Sequence, residues 1–296
     1  MGHSHDHHKH FQDTTNIRAA FFLNLTFTLI EVAGGVWTNS VAILSDSLHD
    51  LGDTLSLGLA WYFQKLSNKG RDSRFSYGYV RFSVLGALIN SFVLLVGSVF
   101  ILYETIPRLL APEETHVEGM MLLAVLGILF NGAAVLKLKK GTSQNERVVS
   151  LHLMEDVLGW TAILIGSIIM YFYDLPIIDP ILSLLIAIYI LSNVYKNLRG
   201  ALMTFLQDVP EEIDIDQIRK LLMKHDTVVS VHDLHIWSMD GEHHVLTAHV
   251  VVPQDMAPVD VESLKKSLRE VLHAEQIDHA TLEFEPEGTD CEYNDC

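Results

Sequence analysis

The stretch SLHDLGDTLSLGLAWYF, residues 47–63, is apolar enough to belong to a membrane-spanning helix yet carries His49 and Asp53. An aspartate at the centre of such a helix costs roughly 2.5 to 3.5 kcal/mol on insertion scales. A polar side chain held there faces a cavity or a partner, and its default reading is functional. The segment has an echo. SLHDLGDTL (47–55) is matched by SLHLMEDVL (150–158), each with Ser-Leu-His, three residues, Asp, one residue and Leu. On a helix, residues i and i+4 share a face, about 5 to 6 Å apart between Cβ atoms. Each copy therefore offers one imidazole and one carboxylate on a single stripe.

Brought together, the two stripes give His49, Asp53, His152 and Asp156: two nitrogens and two oxygens around one point. That set suits a divalent ion that accepts tetrahedral N/O coordination, zinc first and cobalt close behind. Calcium and magnesium want more oxygen ligands. The neighbouring acids Asp46, Asp50 and Glu155 are expected to point off the stripe, near water. A site at membrane depth between two helices is where secondary transporters bind their cargo. Its imidazoles must be neutral to bind metal, so metal and protons displace one another, which points to metal–proton exchange. A membrane sensor that binds zinc without carrying it would need the same ligands; only flux separates the two. A metallohydrolase would need an open metal position and a general base, as in His-Glu-x-x-His, and that motif does not occur.

The rest of the chain frames this pair. The 296 residues have a mean hydropathy of +0.25. Six apolar runs near the 20 residues or so that a spanning helix needs are found at 17–37, 41–63, 82–106, 117–136, 149–173 and 176–194. Lys65, Lys69, Arg71, Arg74 and Arg81 surround the second connection, and Lys137, Lys139, Lys140 and Arg147 the fourth. The positive-inside rule then places both termini in the cytoplasm. No signal peptide is expected in the polar start MGHSHDHHKHFQDTT. A net charge of −17 argues against a nucleic-acid partner. Within the spans, Asn24, Glu31, Asn90 and Asn131 are assigned to helix packing, and Gly34, Gly127 and Gly132 to close helix approach.

The organisation expected is a His-rich disordered tail (1–15), a six-helix membrane domain (16–206), a soluble domain (207–286) and an acidic tail with Cys291 and Cys296 (287–296). In the soluble part, helical periodicity covers IDIDQIRKLLMKHD (213–226), and two strands follow, VVSVHDLHIWSM and HHVLTAHVVV, turned at DGE. A second amphipathic helix begins after Asp260, and HATLEFEPE is the last strand. The order is αββαβ.

The paired His-x-x-x-Asp motifs, RFSYGYVRFSVLGALIN (74–90), DVP (208–210) and VHDLHIW with LTAHVVV make nearly the whole chain resemble the cation diffusion facilitator family of zinc transporters. The resemblance implies a homodimer of six-helix protomers in a lipid bilayer, with a cytoplasmic ferredoxin-like domain, exporting Zn2+ in exchange for protons. It assigns His49, Asp53, His152 and Asp156 to transport, and His232, His249, Glu285 and Glu283 to metal binding in the soluble domain, with His235 and His243 as extra donors. It also implies that Arg81 pairs with Asp208 at the dimer seam, although Ser83 departs from the acidic residue usual there. The connection holding Asp72 lacks a histidine, and no further zinc is expected in it. His3, His5, His7, His8 and His10 read as a flexible cytoplasmic collector of metal, and Cys291 and Cys296 as auxiliary donors. Short loops point to a bacterial inner membrane.

Overall fold

The computed structural model of the chain describes residues 7–67, 71–138, 144–289 and 291; side chains at 7–20, 60–61, 64–65, 67, 134, 137–138 and 144–152 lie outside the described residues. The chain falls into two compact units, one within Met1–Asn68 and Gly86–Leu198, the other within Lys69–Leu85 and Arg199–Cys296.

The first unit is built from long helices: α1 (His7–Thr38), α2 (Val41–Ser67), α3 (Phe82–Leu110), α4 (Val117–Leu138), α5 (Gln144–Tyr173) and α6 (Ile178–Phe205). α1 thus reaches back into the stretch expected as a tail. Among the described residues, Phe21–Thr38, Phe82–Leu110, Leu153–Tyr173 and Ile178–Phe205 are long and apolar enough to cross a membrane, and α4 has a shorter apolar run, Val117–Ala133. α2 does not meet that measure because Asp46, His49, Asp50 and Asp53 interrupt it.

The unit is apolar outside and polar inside, as lipid requires. Leu29, Phe92, Phe100, Leu129 and Phe172 are exposed, whereas Thr28, Glu31, Asp46, Asp50 and Asn131 are buried. Ala42 and Ile43 of α2 pack with Met120 and Ala124 of α4 and with Trp160, Ile163 and Met170 of α5. Small residues set these approaches. A Cβ on Gly127 would collide with the Trp160 indole, and one on Gly97 with Leu48. Gly132 faces open space instead, so the close approach expected there does not occur.

The start of α2 is fixed from across the bundle. Asn39 takes a positive φ of 54° at the turn. Asp179, in the first turn of α6, accepts from Val41 N at 2.9 Å, Ala42 N at 3.3 Å and Ser40 Oγ. One carboxylate thereby satisfies helix-terminal N–H groups that would otherwise be orphaned in lipid. Below it, Ser45, Ser183 and Thr105 form a buried hydroxyl chain across α2, α6 and α3.

In the second unit, α7 (Ile215–Leu222) is capped by Asp214, which accepts from Asp216 N and Gln217 N. It precedes β1 (Ser230–Ser238) and β2 (His244–Val252), then α8 (Pro258–Ala274) and β3 (Ile277–Pro286). α8 begins two residues before Asp260, not after it, because Pro258 sits in the first helical turn, where its missing N–H costs nothing. The sheet order is β1-β2-β3, with β2 antiparallel to β1 and parallel to β3. A core of Ile218, Leu222, Leu246, Val250, Leu264, Leu268 and Leu272 joins both helices to one sheet face. The other face carries the donors.

Candidate metal-transport and metal-binding sites

On α2 the ladder turns the expected stripe inward. His49 Nε2 lies 3.9 Å from Asp53 Oδ2, and both side chains are mostly shielded. Asp156, on α5, is buried. The two helices meet here: an added Cβ at Gly159 of α5 would stand 3.3 Å from Asp46 Oδ1. His152 lies on α5 one turn before Asp156, and its side chain is outside the described residues.

Two partners orient the set. The Tyr189 ring of α6 stands edge-on to His49 with centroids 6.0 Å apart, and its hydroxyl donates to Glu155 of α5 at 2.9 Å. Asn24 of α1 donates to Asp50 O at 3.2 Å and Thr54 Oγ1 at 3.0 Å. Neither role is legible from spacing, because each needs the pairing of helices.

One expectation is corrected. Asp46 and Asp50 do not lie near water: each is only 6% exposed. Asp46, His49, Asp50 and Asp53 follow i, i+3, i+4, i+7 spacing, so the polar face of α2 is wider than a single His–Asp stripe, and α1 and α5 cover it. Glu155 is exposed, as expected. Asn24 and Asn90 do serve packing, Asn90 donating to Ser56 at 2.7 Å.

In the second unit a β-bulge builds the site. The β1–β2 register shifts between His232 and His235, and Asp233 has a positive φ of 47°. The extra residue places His232 and Asp233 in succession on the donor face, between buried Val231 and Leu234. His232 pairs with His249 across the ladder, and His249 with Glu283 on β3. His249 Nδ1 lies 2.7 Å from Glu285 Oε1 and 3.4 Å from Cys291 Sγ; His232 Nε2 lies 3.4 Å from Glu285 Oε2.

The donor atoms of His232, His249, Glu285 and Cys291 all fall within 4.8 Å of one another. His232 Nε2 is buried and makes no hydrogen bond, although it faces the carboxylate. Two imidazoles, a carboxylate and a thiol form a mixed set of the kind a tetrahedral zinc takes. Asp233, which sequence reasoning missed, approaches His249 Nε2 at 3.5 Å and His235 Nε2 at 2.7 Å. The signal was present in the adjacent letters of VHDLH, but only a bulge puts neighbouring residues on one face.

Other expected residues stand apart. Glu283 approaches His249 Nε2 at 3.6 Å from an exposed position, and His235 turns outward to Asp233. His243 pairs with Asp240 in the β1–β2 turn at 3.0 Å; that carboxylate raises its pKa above the ordinary histidine value. Among the described residues no ion pair joins Arg81 and Asp208; Asp208 accepts from Val209 N at 2.9 Å. Asp72 ties its loop by accepting from Arg74 N and Phe75 N, each at 2.8 Å, and from Tyr79 OH at 2.7 Å. The Tyr79 hydroxyl first, then the two amides, hold the Asp72 carboxyl below its usual range. His3, His5 and Cys296, and the side chains of His7, His8 and His10, lie outside the described residues.

A multi-pass helical unit with a polar interior of histidine and carboxylates, continued by an α/β unit with its own donor cluster, defines an integral membrane protein that handles metal cations. The chain belongs to the cation diffusion facilitator family: the cation efflux transmembrane domain matches residues 17–206, and the cation efflux protein cytoplasmic domain matches residues 210–287. The family is one of metal-efflux transporters. The metal cation efflux system protein CzcD of Cupriavidus metallidurans is 32% identical, over 96% of this chain and 90% of its own length. The zinc transporter ZitB of Escherichia coli is 32% identical, over 100% of this chain and 97% of its own. A cadmium, cobalt and zinc/H(+)-K(+) antiporter of Bacillus velezensis is 31% identical, over 96% and 92%.

Proposed function

We propose that this protein exports Zn2+ from the cytoplasm in exchange for protons by alternating access, as a homodimer of six-span protomers in a bacterial inner membrane with both termini cytoplasmic. The observation that carries the reading is the inward-facing His49–Asp53 pair on α2, set against a buried Asp156 on α5. With His152 these residues are the transport site, at which zinc is cargo. Neutral imidazoles bind it and protonated ones release it, so a proton gradient can drive zinc across. The zinc named for the similar ZitB and the zinc/H(+) exchange named for the Bacillus relative support both halves of the reading.

The ferredoxin-like soluble domain holds regulatory zinc on His232, His249, Glu285 and Cys291, with Glu283 in reach. Zinc there favours one arrangement of paired domains, which needs a different affinity in each state. Arg81 pairs with Asp208 across the seam between protomers, and the N-terminal histidines collect metal.

Proteoliposomes with an imposed pH gradient test the reading, comparing the parent with Asp53→Ala. Gradient-dependent zinc uptake, abolished by the substitution, is expected. A parent that binds zinc at these residues but moves none is a sensor.

A further inference from the structure

Glu155 flanks the transport ligands without being one of them. On α5 it follows His152 by three residues and immediately precedes Asp156, so its Cα lies beside theirs on the helix surface. Its side chain is exposed, whereas Asp156 is buried. Asp46 and Asp50, the acids flanking the α2 stripe, are packed into the bundle. Glu155 is therefore the flanking carboxylate with room to swing. The paired motifs differ at this position. In SLHDLGDTL the matching residue is Gly52, and Leu94 of α3 fills the space beside it: an added Cβ would stand 2.6 Å from Leu94 Cδ2. At this position, then, only the α5 copy brings a carboxylate to the edge of the site.

That carboxylate is held from a third helix. The Tyr189 hydroxyl of α6 donates to Glu155 Oε2 at 2.9 Å. The same ring stands edge-on to His49, with centroids 6.0 Å apart and planes at 85°. Tyr189 thus meets a ligand of α2 with its ring and the spare acid of α5 with its hydroxyl. What this tether decides is coordination number. Two imidazoles and two carboxylates complete a tetrahedral set, which zinc accepts. A third carboxylate would bring further oxygens. Manganese prefers octahedral oxygen donors and binds a given set of ligands less tightly than zinc, so it gains most from such an addition.

We propose that Tyr189 determines metal specificity: by holding Glu155 away from His49, Asp53, His152 and Asp156, its hydroxyl keeps the transport site four-coordinate and favours Zn2+ over Mn2+. The proposal rests on the transport reading and gives that site its selectivity. Tyr189 acts through Glu155, so it is a positioning residue and not a ligand. Freed from the hydroxyl, Glu155 turns toward the ion that its neighbours hold and joins them.

The test is the ratio of Mn2+ to Zn2+ uptake in proteoliposomes, for the parent, Tyr189→Phe and Tyr189→Phe combined with Glu155→Gln. Tyr189→Phe keeps the ring against His49 and removes only the tether. It is expected to raise the ratio about tenfold, the low end of what a lost supporting partner does to metal affinity. Adding Glu155→Gln should return the ratio to the parental value, which it would not do had the first change merely loosened the bundle. An unchanged ratio in Tyr189→Phe, or a raised one that survives Glu155→Gln, overturns the assignment and leaves zinc transport standing. A parent that carries neither metal removes the transport reading itself. Cobalt loading gives a measurement independent of flux, because its visible absorption is strong when the ion is four-coordinate and weak when it is six-coordinate. The difference between Tyr189→Phe and the parent cancels the soluble cluster, and a loss of intensity is expected. Spectra that superimpose also overturn the proposal.

Discussion

Asp179, in the first turn of α6, accepts the backbone N–H of Val41 at 2.9 Å and so caps α2, the helix that carries His49 and Asp53. Position in sequence hides this link. The cap and the metal ligands are on different helices, yet the first determines where the second begin. Asp179→Ala leaves the amides of Val41 and Ala42 without their acceptor inside the bundle. The expected cost is about 1 to 2 kcal/mol, read as a lower melting temperature in detergent, with weaker zinc binding at the membrane site. Asp179→Asn, which keeps one acceptor, should recover part of both.

In the soluble unit, Cys291→Ser should weaken zinc binding measured by competition with a chelating dye, because serine offers a poor ligand where the thiolate stood. Asp233→Asn loosens the orientation of His249, and loss of such a supporting partner typically lowers metal affinity by about 10- to 100-fold. His235→Ala should lower affinity far less than Asp233→Asn, since that ring is exposed and reaches the cluster only through Asp233. A full-strength site in Cys291→Ser would remove the thiol from the donor set.

Gly127 and Gly132 are five residues apart on α4 and should answer differently to alanine. At Gly127 the new methyl meets the Trp160 indole, and overpacking of this kind costs about 1 to 3 kcal/mol. At Gly132 there is open space, and alanine favours the helix. Thermal unfolding of the two variants should therefore move in opposite directions; parallel shifts would contradict the packing described.

The β1–β2 turn should respond to pH through His243. Its pKa is raised by the Asp240 carboxylate, so the ion pair is fully present below the unfolded histidine value and is lost as pH rises through the folded one. Asp240→Asn should bring the His243 titration, followed by NMR of the labelled full-length chain, down toward the ordinary value. A titration unmoved by that substitution would mean another cause.

The Asp72 loop carries the opposite sign. Its pKa is lowered chiefly by the Tyr79 hydroxyl, so the contribution is present above the ordinary carboxyl value and disappears as pH falls through the depressed one. Tyr79→Phe should raise the pH at which protease cleavage of this loop sets in on acidification. Cleavage with the same pH profile in parent and variant would show that the hydroxyl is not what ties the loop.

Much of this was legible because membrane and strand periodicities are strong signals. The i, i+4 spacing of His49 and Asp53 puts them on one stripe, whereas His249 is singled out in the sequence only by the family resemblance. The spacing places Asp46 and Asp50 off the His–Asp stripe and near water, whereas the polar face of α2 is broad and α1 and α5 cover it, leaving both buried. Asp233 was missed because strand alternation forbids neighbours from sharing a face unless a bulge intervenes. Asp179 and Tyr189 act on helices far from them in sequence, and no local pattern announces such a partner.

The bulge at residues 232–235 has a consequence for what mutation can reach. Donor crowding there depends on chain length, not on side-chain identity. The one residue that can be removed there with every histidine and carboxylate retained is Leu234, and without it plain alternation runs His232 outward, Asp233 inward, His235 outward and Ile236 inward. Both flanks of β1 would keep their faces while Asp233 turned into the core. A single-codon deletion would therefore strip His249 of its supporting carboxylate without removing any donor of the cluster.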